Sequence, residues 1–298
     1  MFRTILIGVA LDARDTFLLD TCVSIAQPLG ARRVVLAHVR RHDRFPHHLV
    51  GEPEPVSEGS EVHLALDAMA AGLRRRLLGL EILDIHAVGR PAEEILKVAE
   101  VERADLLLLG RFASLPHGPE TGEDGRDILR HAACTTLVVP EGAPTALGHA
   151  VVGVDFSHCA LEALVTASRL FTRVTPVYGY HLEVGVSYGG HGHQDACAHL
   201  EATVRKHYAE QILPQLPEGA QVNELQVIES ERASDTLLQV AATEKADAIV
   251  MGGHGQTRLA AILLGGTAER IALRSPRPVL VVRDKEERLG LLGALLHR

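Results

Sequence analysis

The sequence predicts an α/β protein with two tandem, doubly wound domains, each built on a five-stranded and mainly parallel sheet. Three observations predict this class. The 298 residues exceed the size of one ordinary core, strand-like segments of the first half recur in the second, and short apolar segments alternate with helical segments. Apolar residues make up 46% of the chain, so packed cores do not require disulfides.

The recurring segments lie at a nearly constant separation along the chain. A period of this length indicates a duplicated domain rather than a solenoid of short repeats. The matching pairs are ILIGV at 5–9 with AVVGV at 150–154, DLLLLG at 105–110 with DAIVMG at 247–252, and LVV at 137–139 with LVV at 280–282.

Within each half, the elements alternate in the order expected of a Rossmann-like, nucleotide-binding type of fold. Continuous apolar strands indicate a parallel sheet that helices cover on both faces. In the first half, we predict strand 3–9, helix 15–29, strand 33–39, helix 60–79, strand 81–88, helix 91–102, strand 105–110 and strand 135–139. In the second half, we predict strand 149–155, helix 158–171, strand 173–180, helix 194–213, strand 224–230, helix 233–245, strand 247–252 and strand 278–282.

The stretch 140–149, PEGAPTALGH, has the composition of a turn or linker. We therefore expect a first domain over 1–142, a second over 148–284 and a C-terminal tail over 285–298. Two stretches rich in Gly and His, at 43–60 and 182–193, follow the second strand of their half and are expected to be surface loops.

Charge and cysteine content restrict the class of protein. The formal net charge is −8 and the pI is near 6.1, which argues against binding to nucleic acids or acidic membranes because such proteins carry a basic surface. The four cysteines form no C-x-x-C pair, and the N-terminus does not resemble a signal peptide. We expect a cytoplasmic protein with no nucleic-acid or membrane partner.

Glycines cluster around the fourth strand of the second half. Gly252 ends that strand, Gly255 follows it, and the pair Gly265–Gly266 precedes a helix that we expect to begin near Thr267. Glycines allow the backbone to approach a ligand, and the free N–H groups at the start of a helix favour a phosphate. Two tight turns would explain the same glycines without any ligand.

The spacing G252-x-x-G255-x9-G265, followed by RPVLVV, resembles the nucleotide-binding signature of the universal stress protein family. VVGVDFS at 151–157 and the stretch 88–110 are also similar to that family, so the resemblance covers both halves. It implies an α/β fold, binding of ATP or a related adenine nucleotide, possible homodimers, and pairing of the two halves within one chain.

The resemblance also implies the residues of the site. It assigns the adenosine contact to Asp155 and the walls of the adenine pocket to Val154 and to Tyr178–Gly179. The phosphate-contacting backbone corresponds to Gly252, His254, Gly255, Gly265 and Gly266. The family has Ser or Thr where this chain has Gly266, and Thr267 is the nearest hydroxyl. Asp155 could alternatively cap the following turn.

The same comparison predicts that the first half binds no nucleotide. Ala10 stands at the position of Asp155, and Ala113 at that of Gly255. The segment that replaces the phosphate glycines carries four carboxylates, which repel a phosphate chain. These are Glu120, Glu123, Asp124 and Asp127.

The cluster His191, His193, Cys197 and His199 has residue types that bind metals. We interpret it as a His-rich loop that runs into a solvated helix, with no resident zinc, because structural zinc sites use four well-placed ligands.

The chain has neither a G-x-S-x-G motif nor a Walker-type lysine, so at most slow, Mg²⁺-dependent ATP hydrolysis is expected. Two hypotheses follow. The first is a stress-response protein that signals through an adenine nucleotide bound in its second half. The alternative is an interaction module that binds no nucleotide and acts through dimerisation or metal binding.

Overall fold

The computed structural model describes residues 2–41, 61–110, 121–143, 148–183, 192–255 and 264–283, with the side chains of 121–123 excluded. The chain divides between residues 145 and 146 into two compact units. The predicted loop 43–60 and the predicted tail 285–298 lie outside the described residues. In the described part of the chain, no helix is long and apolar enough to cross a membrane.

The first unit has a parallel sheet of five strands in the order β3-β2-β1-β4-β5. The buried residues of its strands are mainly Leu, Ile and Val. Three consecutive side chains of the first strand, Ile5–Ile7, are fully buried. The elements are β1 (Thr4–Val9), α1 (Asp15–Ala26), β2 (Arg33–Arg41), α2 (Glu61–Arg76), β3 (Glu81–Gly89), α3 (Pro91–Val101), β4 (Leu106–Gly110), α4 (Thr121–His131) and β5 (Thr135–Val139).

The second unit repeats this arrangement with the strand order β10-β9-β6-β7-β8, again parallel throughout. The predicted α/β class, with five parallel strands in each half of the chain, is therefore confirmed. The elements are β6 (His149–Gly153), α5 (His158–Leu170), β7 (Arg173–Tyr180), α6 (His193–His207), β8 (Gln226–Glu229), α7 (Ala233–Thr243), β9 (Ala248–Gly252), α8 (Gly266–Arg274) and β10 (Val279–Val282).

One predicted helix differs from the structure in its second part. The α-helix expected over 194–213 ends at His207, and a π turn at Tyr208–Ile212 and a 3₁₀ turn at Leu213–Gln215 follow it. Pro214 has no N–H group to continue an α-helical hydrogen-bond ladder, which accounts for the change near the end.

Equivalent local contacts occur in the two units. Asp105 accepts hydrogen bonds from the backbone N–H groups of Arg3 and Thr4, and Asp247 accepts one from His149 at the start of β6. Leu11 and Phe156, which follow the first strand of their units, both adopt a left-handed backbone conformation, with φ near 60°. The duplication thus extends to the strained turn after the first strand.

The chain order of the strands reverses at one point in each sheet. In the second unit, β6 leads through α5 to β7 on one side, while β9 lies on its other side and leads through α8 to β10. Ligands of open α/β sheets bind in the crevice outside the carboxyl ends of the strands at such a switch point. In the second unit, the residues that follow β6 and β9 occupy this position.

Candidate functional site

The turn after β6 holds Asp155 in a defined orientation. The backbone N–H of Val154 donates to the carbonyl of Val177 at 2.9 Å, which continues the pairing of β6 with β7. Asp155 Oδ1 accepts a hydrogen bond from the N–H of Ser157 at 2.9 Å, and Ser157 Oγ in turn caps α5 by accepting from the N–H of Ala160. One carboxylate oxygen of Asp155 therefore has the turn role that the sequence offered as the alternative.

The other carboxylate oxygen of Asp155 faces the backbone after β9. A Cβ atom added at Gly255 would overlap Asp155 Oδ2, so these two residues are in direct contact and position 255 accepts a side chain only if the carboxylate moves. The structure thus brings together two of the sequence-predicted site residues, one from each side of the switch point.

Gly252 has a packing role. A Cβ atom at this position would lie 2.8 Å from the carbonyl carbon of Cys159 and 3.0 Å from the backbone nitrogen of Ala160. The end of β9 therefore approaches the first turn of α5 too closely for any side chain. The tight approach explains this glycine without a ligand.

The backbone returns from position 264 to the end of β9. The N–H of Gly265 donates to the carbonyl of Gly253 at 2.7 Å, and α8 begins at Gly266 with no side-chain cap. Gly266 and Thr267 are exposed. The first turn of α8 therefore presents backbone N–H groups and the positive end of its dipole beside the end of β9.

His254 contacts the body of the domain through its ring. Its Nε2 lies 3.4 Å from the sulfur of Cys159, and its carbonyl oxygen lies 3.5 Å from Ser157 Oγ. The phosphate contact that the sequence predicts for the backbone of His254 stays a prediction.

Two residues that are predicted to wall the adenine pocket, Tyr178 and Gly179, have packing partners within the second unit. Gly179 faces α7, because a Cβ there would lie 3.1 Å from the Cα of Ala233. Phe156, which the sequence did not single out, has its ring centroid 5.4 Å from that of Tyr178 and 4.8 Å from that of His207.

The equivalent turn of the first unit is closed by a carboxylate of its own chain. Asp15, which is 3% exposed, accepts hydrogen bonds from the N–H groups of Ala10 and Asp12 at 3.1 Å each. Burial raises the pKa of this carboxyl, and the two backbone hydrogen bonds partly oppose that rise. Asp15 corresponds to Ala160 of the second unit. Comparing Ala10 with Asp155 therefore could not reveal that another carboxylate occupies this turn.

The predicted acidic segment of the first unit carries less uncompensated negative charge against a phosphate chain than its sequence suggests. The carboxylate of Asp124 forms an ion pair with Arg41 at the end of β2, which offsets one of the four negative charges. Asp127 lies on α4. Ala113, Glu120 and the side chain of Glu123 lie outside the described residues.

The structure brings together two of the four predicted metal-binding residues. His193 and Cys197 share one face of α6 and meet Glu229 of β8, which the sequence did not select. His199 is exposed and is not part of this group. His191 lies outside the described residues.

Comparison with known proteins gives one family. The profile described as "Universal stress protein family" matches residues 1–140 and 147–283. A universal stress protein of Methanocaldococcus jannaschii is 43% identical over 51 residues, which cover 17% of this chain and 32% of that protein. The matched region therefore spans about a third of that curated relative's length.

Solved structures with the same fold align over nearly the whole chain. A universal stress protein of Archaeoglobus fulgidus has a TM-score of 0.61 at 19% identity, over 94% of this chain and 96% of its own. A functionally unknown protein of Pseudomonas aeruginosa has a TM-score of 0.69 at 18% identity, over 100% and 98% of the two chains. At these identities, the likeness concerns the fold.

Proposed function

The chain belongs to the universal stress protein family, and on that premise we propose that its second half binds ATP or a related adenine nucleotide at the carboxyl ends of β6 and β9. The expected role is regulatory: a stress-response protein whose contacts depend on the bound nucleotide. Enzymatic turnover is not part of the proposal.

The contact between Asp155 and Gly255 is the observation that carries this proposal. It joins the residues that follow β6 and β9, where the chain order of the sheet reverses. A half-buried carboxylate at the mouth of such a crevice is suited to accept hydrogen bonds from the hydroxyl groups of a ribose.

The phosphates are expected at the first turn of α8. Uncapped N–H groups and the helix dipole favour an anion there, and the hydrogen bond from Gly265 to Gly253 holds this turn beside the end of β9. Gly266 supplies no hydroxyl. We therefore expect the phosphate contacts to come from the backbone, with Thr267 as the nearest side-chain donor, and Mg²⁺ to be held mainly by the phosphates.

Binding is proposed for the second half alone. In the first half, Ala10 offers no carboxylate, and its N–H group already donates to Asp15. Pairing of the two halves and formation of a homodimer stay predictions, and they are the interactions through which a bound nucleotide would act.

Two measurements test this function. Mass spectrometry of small molecules released from freshly purified protein is expected to detect an adenine nucleotide. Titration of ligand-free protein with ATP, ADP and AMP in the presence of Mg²⁺ is expected to give binding tighter than millimolar for at least one of them. If neither measurement detects a nucleotide, the alternative of a nucleotide-independent interaction module gains support.

A further inference from the structure

We propose that His193, Cys197 and Glu229 form a binding site for Zn²⁺, separate from the proposed nucleotide site. One ligand atom from each of the three residues lies within 4.8 Å of the other two. His193 Nε2 lies 2.9 Å from Glu229 Oε1, and Cys197 Sγ lies 3.5 Å both from His193 Nε2 and from Glu229 Oε2. This proposal replaces the expectation from sequence that the chain holds no zinc.

Two of the three distances between the ligand residues match those of a tetrahedral zinc site. Typical Zn–S, Zn–N and Zn–O lengths at tetrahedral angles separate S from N or O by about 3.6 Å and N from O by about 3.4 Å. The two sulfur distances, both 3.5 Å, agree with these values. The N···O distance of 2.9 Å is that of a hydrogen-bonded pair and would lengthen by about 0.5 Å around an ion.

The fold brings the three ligands together from two elements. His193 and Cys197 are four residues apart in α6 and therefore lie on the same face of the helix. Glu229 is the last residue of β8, against which α6 packs. Pairs of ligands at i and i+4 on a helix, completed by a residue from another element, are a recurring design of zinc sites.

The chemistry of the ligand set selects the metal. Thiolate, imidazole and carboxylate together favour Zn²⁺ over Mg²⁺ or Ca²⁺, which take oxygen ligands only. Three protein ligands leave the fourth tetrahedral position open to water or to an exchangeable ligand. A site of this kind differs from the closed four-ligand sites that stabilise a fold.

The alternative without a metal is an ion pair between His193 and Glu229 near the start of α6, with Cys197 beside it by chance. If this alternative holds, the affinity of the protein for Zn²⁺ does not depend on the thiol of Cys197.

The test compares Zn²⁺ binding by the full-length protein with that of single variants. Competition with a chromophoric chelator is expected to give one tightly bound Zn²⁺ in the wild type. Cys197→Ser and Glu229→Gln should each weaken this binding by more than the roughly 10- to 100-fold typical of outer-layer substitutions. His199→Gln is the matched control on the same helix, and it should leave the affinity unchanged.

Substitution of Co²⁺ for Zn²⁺ supplies a spectroscopic readout. The wild type and His199→Gln should show tetrahedral ligand-field bands and a thiolate-to-cobalt charge-transfer band, and Cys197→Ser should lose the charge-transfer band. Circular dichroism of each variant establishes that it is folded, and Glu229→Gln keeps the test valid if Cys197→Ser does not fold. The absence of stoichiometric Zn²⁺ in the wild type, or an equal loss of binding in His199→Gln, would overturn the proposal.

Discussion

Asp155 Oδ2 lies against the backbone of Gly255, so that a Cβ atom at position 255 would overlap it. The other oxygen of the same carboxylate accepts the N–H of Ser157, which fixes the turn in which Asp155 lies. One side chain therefore connects the ends of β6 and β9. The structural role and the proposed ligand role of Asp155 use different oxygens and are compatible.

Asp155→Asn should weaken adenine-nucleotide binding about 10-fold or more, because a hydrogen bond to a charged group contributes about 1.5–3 kcal/mol. The amide oxygen can still accept the N–H of Ser157, so the turn should persist. Isothermal titration with the best-binding nucleotide measures the change. Asp235→Asn, which removes a carboxylate on the surface of the same unit, is the matched control and should bind normally. Equal affinities of Asp155→Asn and the wild type would exclude Asp155 from the site.

Gly266→Ser should strengthen binding of ATP. A Cβ at position 266 meets no atom within 4 Å, so the substitution restores the hydroxyl of the family motif without a steric cost. One added neutral hydrogen bond corresponds to about 0.5–1.5 kcal/mol, or roughly 2- to 10-fold in affinity. Gly266→Ala controls for the change in helix propensity. If the serine and alanine variants bind ATP equally, the hydroxyl makes no contact with the nucleotide.

Gly252→Ala and Gly110→Ala form a matched pair at equivalent positions of the two units. The Cβ in the first variant would lie 2.8 Å from backbone of Cys159, whereas in the second it meets only Leu18 Cδ1 at 3.9 Å. We expect the first to lower the free energy of unfolding by about 1–3 kcal/mol and the second to change it by less than about 0.5 kcal/mol. Urea denaturation measures both, and similar losses would contradict the packing role of Gly252.

Asp15 should give the first unit a pH-dependent stability of defined sign. Burial raises the pKa of its carboxyl above 3.8, so the folded state holds this proton more tightly than the unfolded state. Its contribution is complete below pH 3.8 and is lost as the pH rises through the folded-state pKa.

Asp15→Asn removes this titration. Urea denaturation from pH 3.5 to 7 measures the free energy of unfolding of the wild type and of Asp15→Asn. As the pH rises, the value for the wild type should fall relative to the value for the variant. A difference that stays constant, or that shifts in favour of the wild type, would contradict the assigned cause.

The fold could be predicted because its signals are local and repeated. Apolar runs such as 105–110 and 247–252 identify buried parallel strands, and their recurrence identifies the duplication. The end of α6 could not be predicted in this way, because apolar periodicity does not distinguish an α-helix from the π turn at Tyr208–Ile212.

The candidate site could be predicted only in part. The sequence does not distinguish a glycine needed for close approach to a ligand from one needed for close approach to a helix, and both Gly252 and Gly179 pack closely against a helix. Asp15 accepts hydrogen bonds from backbone groups only three and five residues earlier, whereas Glu229 contacts side chains that the fold brings to it. Glu229 is 32 residues from Cys197 along the chain, and no spacing rule connects them.

Calorimetric titration of the full-length chain with the nucleotide that binds best distinguishes binding in the second half alone from binding in both halves. We expect one binding site per chain, with affinity lost in Gly255→Ala, because its Cβ would displace the carboxylate of Asp155. Two sites per chain, or one site that Gly255→Ala leaves unchanged, would contradict the assignment of nucleotide binding to the second half alone.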